Sequence, residues 1–101
     1  MALACDIRIA VPTAKFFYPV MKLGFLPQPS DPKRMIALIG PARTKFILMS
    51  GQKITASEAL DVGLVEWLVE PEELMDYAHY LCQDVMNASP KIAQGIKAMC
   101  P

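Results

Sequence analysis

Alternating polar and apolar residues near the start of the chain predict two short strands. Residues 6–11 (DIRIAV) carry β-branched side chains at every second position, which is typical of a strand with one buried face. Residues 14–18 (AKFFY) repeat this signal after a tight connection. The small apolar residues 1–5 precede both segments and resemble the last turn of a helix. The pattern therefore predicts a helical turn followed by two strands.

A proline-rich loop follows and leads into a helix. Pro27 and Pro29 restrict the residues before them to extended geometry. Ser30 and Asp31 stand directly before Pro32, an arrangement that offers a helix N-cap followed by proline at the first helical position. Apolar residues then recur up to the next glycine. We therefore predict a helix that starts at this cap and ends near that glycine.

The middle of the chain contains signals for two more helices. Residues 41–50 begin with proline and precede a glycine, and their apolar run at 46–49 predicts a buried helix. Thr55 and Glu58 have the T-x-x-E spacing of a capping box. This spacing predicts a short helix over residues 56–62.

The last part of the chain is predicted to be mainly helical. Residues 64–69 have the pattern of an extended segment. A longer helix is predicted from Pro71, with acidic residues in its first turn where the helix dipole favours them. A final helix is predicted from Pro90. Helices thus dominate the prediction, together with three short extended segments.

Length and composition predict one small domain with more apolar residues than it can bury. The chain has 101 residues, so we treat residues 1–101 as one domain without an internal boundary. Hydrophobic residues make up 53% of it, against about 45–50% in ordinary globular domains. So short a chain leaves much surface exposed after folding. We therefore expect a partner, or a larger protein of which this is a part.

Charge and hydropathy exclude several kinds of partner. Ten basic and ten acidic residues give a formal net charge of zero, and the basic residues form no cluster. Nucleic acid and anionic membrane surfaces are therefore not favoured partners. The longest apolar run is far too short to span a membrane, and the first residues lack the pattern of a signal peptide. We expect the protein in the cytoplasm.

The cysteine and histidine content does not favour a metal site. Cys5, Cys82 and Cys100 are widely spaced and odd in number, which permits one disulfide or none. Reduced, mostly buried thiols fit this pattern better. The single histidine, His79, has no second histidine and no C-x-x-C pair beside it. We therefore expect no metal.

Five sequence blocks in a fixed order resemble the crotonase superfamily, the enoyl-CoA hydratase/isomerase family. The blocks cover much of the chain and gain their specificity from their order and spacing rather than from any single motif. They are A-L-A-C-D-I-R-I-A at 2–10, A-K-F at 14–16, P-x-x-K-L-G-x-x-P at 19–27, R-x-x-x-L-I-G-x-A-R at 34–43 and G-x-x-I-x-A-x-E-A-L-x-x-G-L-V at 51–65.

The resemblance implies a fold, a substrate and a type of chemistry. The implied fold is α/β, a spiral of ββα turns, of which this segment is the helix-rich middle-to-C-terminal part. Such proteins form trimers or pairs of trimers and bind acyl-CoA thioesters, so coenzyme A is expected as part of the substrate and not as a separate cofactor. Two backbone N–H groups form an oxyanion hole that stabilises the thioester enolate. In the family both donors lie upstream of the position of Met1.

One family position differs here in a way that bears on the reaction. The motif P-E-x-x-L-G, whose glutamate takes part in hydration, reads P-V-M-K-L-G at residues 19–24. Val20 occupies the place of the glutamate, and an aliphatic side chain cannot transfer a proton. The resemblance also assigns a set of residues to the substrate pocket: Val20, Leu23, Phe25, Pro27 and Ser30.

Asp31 and Tyr18 are the candidate catalytic residues, and each has two interpretations. Asp31 caps the following helix, or it acts as a relocated acid or base that faces the acyl group. These two roles are compatible. Tyr18 is a cross-strand packing aromatic, or it supplies a hydroxyl to the pocket.

Three functional hypotheses follow. The first is an acyl-CoA enzyme of fatty acid metabolism that works through a stabilised enolate, by double-bond isomerisation or another single-acid step rather than as a two-glutamate hydratase (lyase). The resemblance leaves open that the family's other glutamate, which lies upstream of the position of Met1, serves in this step. The second is a non-catalytic fragment or a structural subunit for oligomerisation, inactive in isolation. The third is a free-standing helical module that binds another protein, which only the excess of apolar residues supports.

Overall fold

The structure is a computed structural model that describes residues 2–100. These residues form six α-helices, four two-residue strands and two short 3-10 turns. The helices are α1 (Val20–Leu23), α2 (Ser30–Ile39), α3 (Pro41–Ser50), α4 (Ala56–Val62), α5 (Leu74–Asn87) and α6 (Pro90–Met99). The strands are β1 (Ile9–Ala10), β2 (Lys15–Phe16), β3 (Ile54–Thr55) and β4 (Trp67–Leu68), and the 3-10 turns are Ala2–Ala4 and Pro71–Glu73.

The four strands form two separate pairs. β1 and β4 run parallel, with Ile9 opposite Trp67, and β2 and β3 run antiparallel, with Phe16 opposite Ile54. Both pairs join an early segment of the chain to a later one. Six elements lie between the two members of the parallel pair in the chain: β2, α1, α2, α3, β3 and α4. The strands are shorter than the predicted segments, and β3 was not predicted.

The helices of the middle segment begin and end where the sequence predicts. α3 and α4 have exactly the predicted bounds. At α4, Thr55 Oγ1 accepts a hydrogen bond from the Glu58 backbone N–H at 3.1 Å, and Glu58 Oε1 accepts one from the Thr55 N–H at 3.0 Å. Both bonds of the capping box are present, and Gly63, with a φ of 87°, ends the helix.

The predicted N-cap of α2 is wrong. The helix begins at Ser30, so the capping position falls on Pro29, and no side chain forms a capping hydrogen bond there. Asp31 therefore lies inside the first helical turn. Its side chain is buried and hydrogen-bonded to Tyr18 instead. The helix starts earlier than predicted because Pro29 itself has helical backbone angles.

The apolar core lies between β1, β3 and helices α2 to α4. Its buried members are Ala10, Met35, Ile39, Ile47, Ile54, Ala59, Leu64 and Val65. The alternation predicts one buried face for the first strand segment, and in the structure this face carries residues 8 and 10. Arg8 and Ala10 are buried, whereas the β-branched Ile7 is 53% exposed. The strand has this orientation because the buried Arg8 finds a full set of hydrogen-bond acceptors.

Arg8 joins the β1 segment to the β4 segment. Its guanidinium donates to Glu66 Oε1 at 3.0 Å, to the Leu64 carbonyl at 2.8 Å and to the Cys5 carbonyl at 2.6 Å. The backbones of Arg8 and Glu66 are linked as well, because the Arg8 N–H donates to Glu66 Oε2 and the Glu66 N–H donates to the Arg8 carbonyl. A buried charge is thus paired and hydrogen-bonded.

Many apolar side chains remain on the surface. The prediction that residues 46–49 are buried is wrong for Phe46 and Met49, which are 52% and 60% exposed, although Ile47 between them is buried. Exposed apolar residues also lie along α5 and α6, including Met75, Tyr80, Met86, Ile92, Ile96 and Met99. The radius of gyration is 15.3 Å, against about 13 Å for a compact domain of 100 residues. The described residues therefore leave unpartnered apolar surface.

The cysteines and the single histidine lie at the surface. Cys5, Cys82 and Cys100 are free thiols in the structure, and all three are exposed, so the prediction that they are mostly buried is wrong. His79 is exposed on α5. No group of three or more potential metal-ligating side chains occurs within residues 2–100. Over the same residues, no helix has both the length and the apolar character needed to cross a membrane.

Candidate active site

Tyr18 and Asp31 form a hydrogen-bonded pair between β2 and α2. The Tyr18 hydroxyl donates to Asp31 Oδ2 at 2.5 Å. This distance is shorter than that of an ordinary hydroxyl hydrogen bond. The Asp31 side chain is buried, with only 7% of the residue exposed. The two candidate catalytic residues are therefore in direct contact.

The local structure explains why a carboxylate is stable at this place. Asp31 lies in the first turn of α2, where the positive end of the helix dipole favours an anion. Its backbone N–H donates to the Gln28 carbonyl at 3.0 Å, which fixes the turn that precedes the helix. A buried carboxylate needs a hydrogen-bond donor. Tyr18, two residues after β2, supplies that donor.

The contact also changes the acidity of the phenol. The pKa of Tyr18 is raised above its ordinary value of 10.0, first because its hydroxyl donates to Asp31, and further because of burial and the charge of Asp31. A backbone hydrogen bond with Gln28 acts weakly in the opposite direction. The phenol therefore stays protonated across the physiological pH range.

An apolar cavity of about 550 Å³ lies beside this pair. This volume falls within the range of about 300–1,000 Å³ that is typical of ligand sites. Tyr18 and Met35 line it, together with apolar residues of the first strands and of the β4 segment. Asp31 does not belong to the lining. A ligand in the apolar cavity would therefore meet the phenol and not the carboxylate.

Among the described residues, no carboxylate lines the apolar cavity. Besides Tyr18, the ionisable members of the lining are Cys5, Arg8 and Lys15. The Arg8 guanidinium is already bound to Glu66 and to two carbonyl groups. Tyr18 is thus the uncharged lining residue that is hydrogen-bonded to a carboxylate, that of Asp31.

A second, shallower concavity does not include Tyr18 in its lining. Phe17, Pro19, Lys22 and Lys53 line it, and the Lys53 ammonium lies 5.3 Å from the centre of the Phe17 ring. This is a cation–π distance. The contact holds Lys53 against the residue that follows β2.

The five positions assigned to the substrate pocket lie along α1 and the loop after it. Val20 and Leu23 belong to α1, Phe25 and Pro27 follow it, and Ser30 is the first residue of α2. The side chains of Leu23 and Phe25 are 62% and 66% exposed. None of the five lines the apolar cavity. Their role in substrate binding stays a prediction.

Sequence reasoning missed the apolar cavity itself. The alternation at residues 6–11 indicates that one face of the first strand is covered, but it does not say which face. In the structure Ile7 and Ile9 turn towards the cavity. The sequence signal that could have revealed which face is covered is Arg8. A buried arginine needs an acidic partner, and its partner here, Glu66, lies 58 positions away in the chain.

Comparison with known proteins shows the family. The family model for enoyl-CoA hydratase/isomerase matches residues 1–100. A short-chain-enoyl-CoA hydratase of Clostridium acetobutylicum is 38% identical over 90 residues, which are 89% of this chain and 34% of that protein. The carnitinyl-CoA dehydratase of Salmonella paratyphi A is 35% identical over 97 residues, which are 96% of this chain and 37% of that protein. The chain therefore belongs to the enoyl-CoA hydratase/isomerase family.

Solved structures confirm the crotonase fold. A Thermobifida fusca protein, solved in complex with acetoacetyl-CoA, superimposes with a TM-score of 0.90 and 26% sequence identity. The match covers 97% of this chain and 38% of that one. The predicted α/β, helix-rich part of the crotonase fold is thus confirmed. The chain spans about a third of the length of the curated relatives it matches.

Proposed function

We propose that the protein acts on acyl-CoA thioesters through an enolate that an oxyanion hole stabilises, and that its reaction is the migration of a double bond rather than hydration. Coenzyme A takes part as a portion of the substrate. The names of the relatives support the substrate class, since both refer to acyl-CoA derivatives. The acetoacetyl-CoA complex of the Thermobifida fusca protein supports it as well.

The choice between isomerisation and hydration rests on which residue of this region carries a carboxylate. Valine occupies position 20 on α1, whereas the buried carboxylate of this region is Asp31, bound to Tyr18. Hydration requires one group to take a proton from water and another to deliver one to carbon. Double-bond migration moves one proton between two carbons of the same substrate, which a single carboxylate can accomplish.

The oligomeric state and the location are part of the same proposal. We expect a trimer or hexamer in the cytoplasm. The exposed apolar side chains of α5 and α6 support an assembly, because isolated domains rarely expose so many. We further propose that residues 1–101 alone are inactive, since they span only about a third of the length of the curated relatives.

Two measurements test this function. The full-length protein should convert but-3-enoyl-CoA to crotonyl-CoA faster than it hydrates crotonyl-CoA. Calorimetric titration with crotonyl-CoA and acetyl-CoA should show saturable binding, and coenzyme A alone serves as the control for binding of the nucleotide part. Faster hydration than isomerisation would contradict the choice of reaction. Absence of any acyl-CoA binding would contradict the substrate class.

A non-catalytic structural subunit is the second candidate. The apolar surface of α5 and α6 favours it independently of the site, because these side chains could serve subunit contacts alone. Sedimentation of the protein with and without acyl-CoA distinguishes the two candidates. A stable oligomer that neither binds nor converts acyl-CoA would support the structural subunit.

A further inference from the structure

Two residues that line the apolar cavity are bound to a carboxylate: Arg8 is paired with Glu66, and Tyr18 is hydrogen-bonded to Asp31. Tyr18 is among the residues that line the cavity, whereas Asp31, which is 7% exposed, is not. The 2.5 Å hydrogen bond joins the two residues. A substrate carbon held against the phenol oxygen of Tyr18 could thus exchange a proton with Asp31 through that oxygen.

We propose that Tyr18 is a proton relay that carries the substrate's proton to and from Asp31. This inference rests on the proposed function. It assigns the two residues different roles: Tyr18 touches the substrate, and Asp31 stores the proton. Val20, where the family has a carboxylate, takes no part in the transfer.

The direction of the hydrogen bond fits a relay. A phenol has one proton to donate and can accept through its oxygen lone pairs. The Tyr18 proton points to Asp31 Oδ2. The oxygen therefore presents lone pairs, and not a proton, to other groups, and the backbone hydrogen bond with Gln28 engages one of them. In this state the pair is ready to accept a proton from carbon.

The proposed step balances without a further reactant. The C–H bond at the α-carbon breaks, its proton forms a bond to Tyr18 Oη, and the Tyr18 proton moves to Asp31 Oδ2. The electron pair of the C–H bond passes into the enolate on the thioester oxygen. The transfer then reverses: Asp31 returns a proton to Tyr18, and Tyr18 delivers one to the γ-carbon. The double bond has moved by one position, and both residues are restored.

The other polar groups of the cavity are poorly suited to the same task. The Arg8 guanidinium is permanently charged and occupied by Glu66 and backbone carbonyls. Lys15 is an exposed ammonium on β2, and a protonated amine cannot accept a proton. Cys5 is an exposed thiol at the cavity rim with no carboxylate hydrogen-bonded to it. The relay through Tyr18 is the arrangement that pairs an acceptor with a proton store.

The test uses the full-length protein and but-3-enoyl-CoA. Tyr18→Phe and Asp31→Asn should each lower kcat about 100-fold or more, the range of general acid–base catalysis. The Kd for butyryl-CoA should change by less than about threefold, because neither variant removes apolar lining. Tyr80→Phe and Asp61→Asn, at exposed positions outside the cavity, are the matched controls and should keep wild-type kcat.

The outcomes separate the relay from the proposed function. If the wild-type protein neither binds butyryl-CoA nor converts but-3-enoyl-CoA, the proposed function fails and the relay with it. If the wild type is active and Asp31→Asn is not, but Tyr18→Phe keeps its kcat, Asp31 reacts directly and the relay is wrong. If both variants keep kcat, the pair has only a structural role and the relay is wrong.

A second variant keeps the test decisive if these substitutions disturb folding. Incorporation of 3-fluorotyrosine at position 18 retains the hydroxyl and the shape of the ring but makes the phenol more acidic. A relay predicts that the pH profile of kcat shifts to lower pH while the Kd for butyryl-CoA stays the same. An unchanged profile would overturn the relay, because a purely structural hydrogen bond does not respond in this way.

Discussion

Tyr18 and Asp31 lie thirteen positions apart in the chain, yet their oxygen atoms are separated by only 2.5 Å. The proline-rich loop between them makes this contact possible. Pro27, Pro29 and Pro32 restrict the backbone on both sides of Asp31, so less conformational entropy is lost when the loop folds. The stiff loop thus has a structural purpose: it delivers a carboxylate into the first turn of α2, against the phenol.

The first prediction concerns the ionisation of Tyr18. Its pKa in the folded protein is raised above the value of 10.0 that it has when unfolded. The hydrogen bond to Asp31 therefore stabilises the protein fully below about pH 10, and the stabilisation is lost as the pH rises through the higher folded value. The free energy of unfolding, compared between the wild type and Tyr18→Phe from about pH 8 to about pH 11, should show this loss.

Direct titration of the phenol provides the control for this prediction. In Asp31→Asn the pKa of Tyr18 should fall towards its ordinary value, as observed by NMR of the labelled tyrosine ring. Asp61→Asn changes an exposed carboxylate on α4 and should leave that pKa unaltered. A Tyr18 pKa that is the same in all three proteins would mean that the hydrogen bond is absent in solution.

Several elements of the fold could be predicted because their signals are local. The bounds of α3 follow from a proline and a glycine that flank an apolar run, and those of α4 follow from the capping box of Thr55 and Glu58. Each signal depends on residues within one or two turns of each other. Family membership could also be predicted, since it depends on the order of motifs along the chain.

The rest depends on contacts between distant residues. The sequence does not reveal that Asp31 binds Tyr18, because a capping aspartate and a buried aspartate have the same local pattern. Nor does it reveal that Arg8, rather than Ile7, faces the interior, since the partner Glu66 lies 58 positions away. Phe46 is exposed because no other described residue covers it. The helical pattern shows that this position is apolar, but it cannot show whether another element packs there.

The second prediction concerns the buried arginine. Arg8→Met should lower the free energy of unfolding by about 2–4 kcal/mol, because it leaves the Glu66 carboxylate and two carbonyl groups without their donor. Arg8→Lys should recover only a small part of this loss, since an ammonium cannot reproduce the guanidinium fork. Urea denaturation measures both changes.

A surface ion pair supplies the control for Arg8. Lys97 and Asp6 lie 3.1 Å apart, but their side chains are 67% and 64% exposed. Lys97→Met should therefore change the free energy of unfolding by less than about 1 kcal/mol. Equal effects of Arg8→Met and Lys97→Met would contradict the view that burial and the number of hydrogen bonds make the Arg8 contact important.

The third prediction concerns the capping box of α4. Thr55→Ala removes the oxygen that accepts the Glu58 N–H and should lower the free energy of unfolding by about 1 kcal/mol. Thr55→Ser keeps that oxygen and should restore most of the stability. Ser57→Ala, at an exposed position within the same turn, is the control and should have little effect. A Thr55→Ser variant as unstable as Thr55→Ala would show that the methyl group, and not the cap, is responsible.

The fourth prediction tests why the proposed reaction is isomerisation. Val20→Glu places a carboxylate on α1 at the position where the family's hydratases carry one, and it should supply the missing base for water. Hydration of crotonyl-CoA by the full-length protein should then rise about 10-fold or more. Val20→Gln has the same length without the base and should leave hydration at the wild-type rate. If the Gln and Glu variants hydrate equally well, the side chain at position 20 does not decide the reaction, and the assignment of isomerisation from Val20 is wrong.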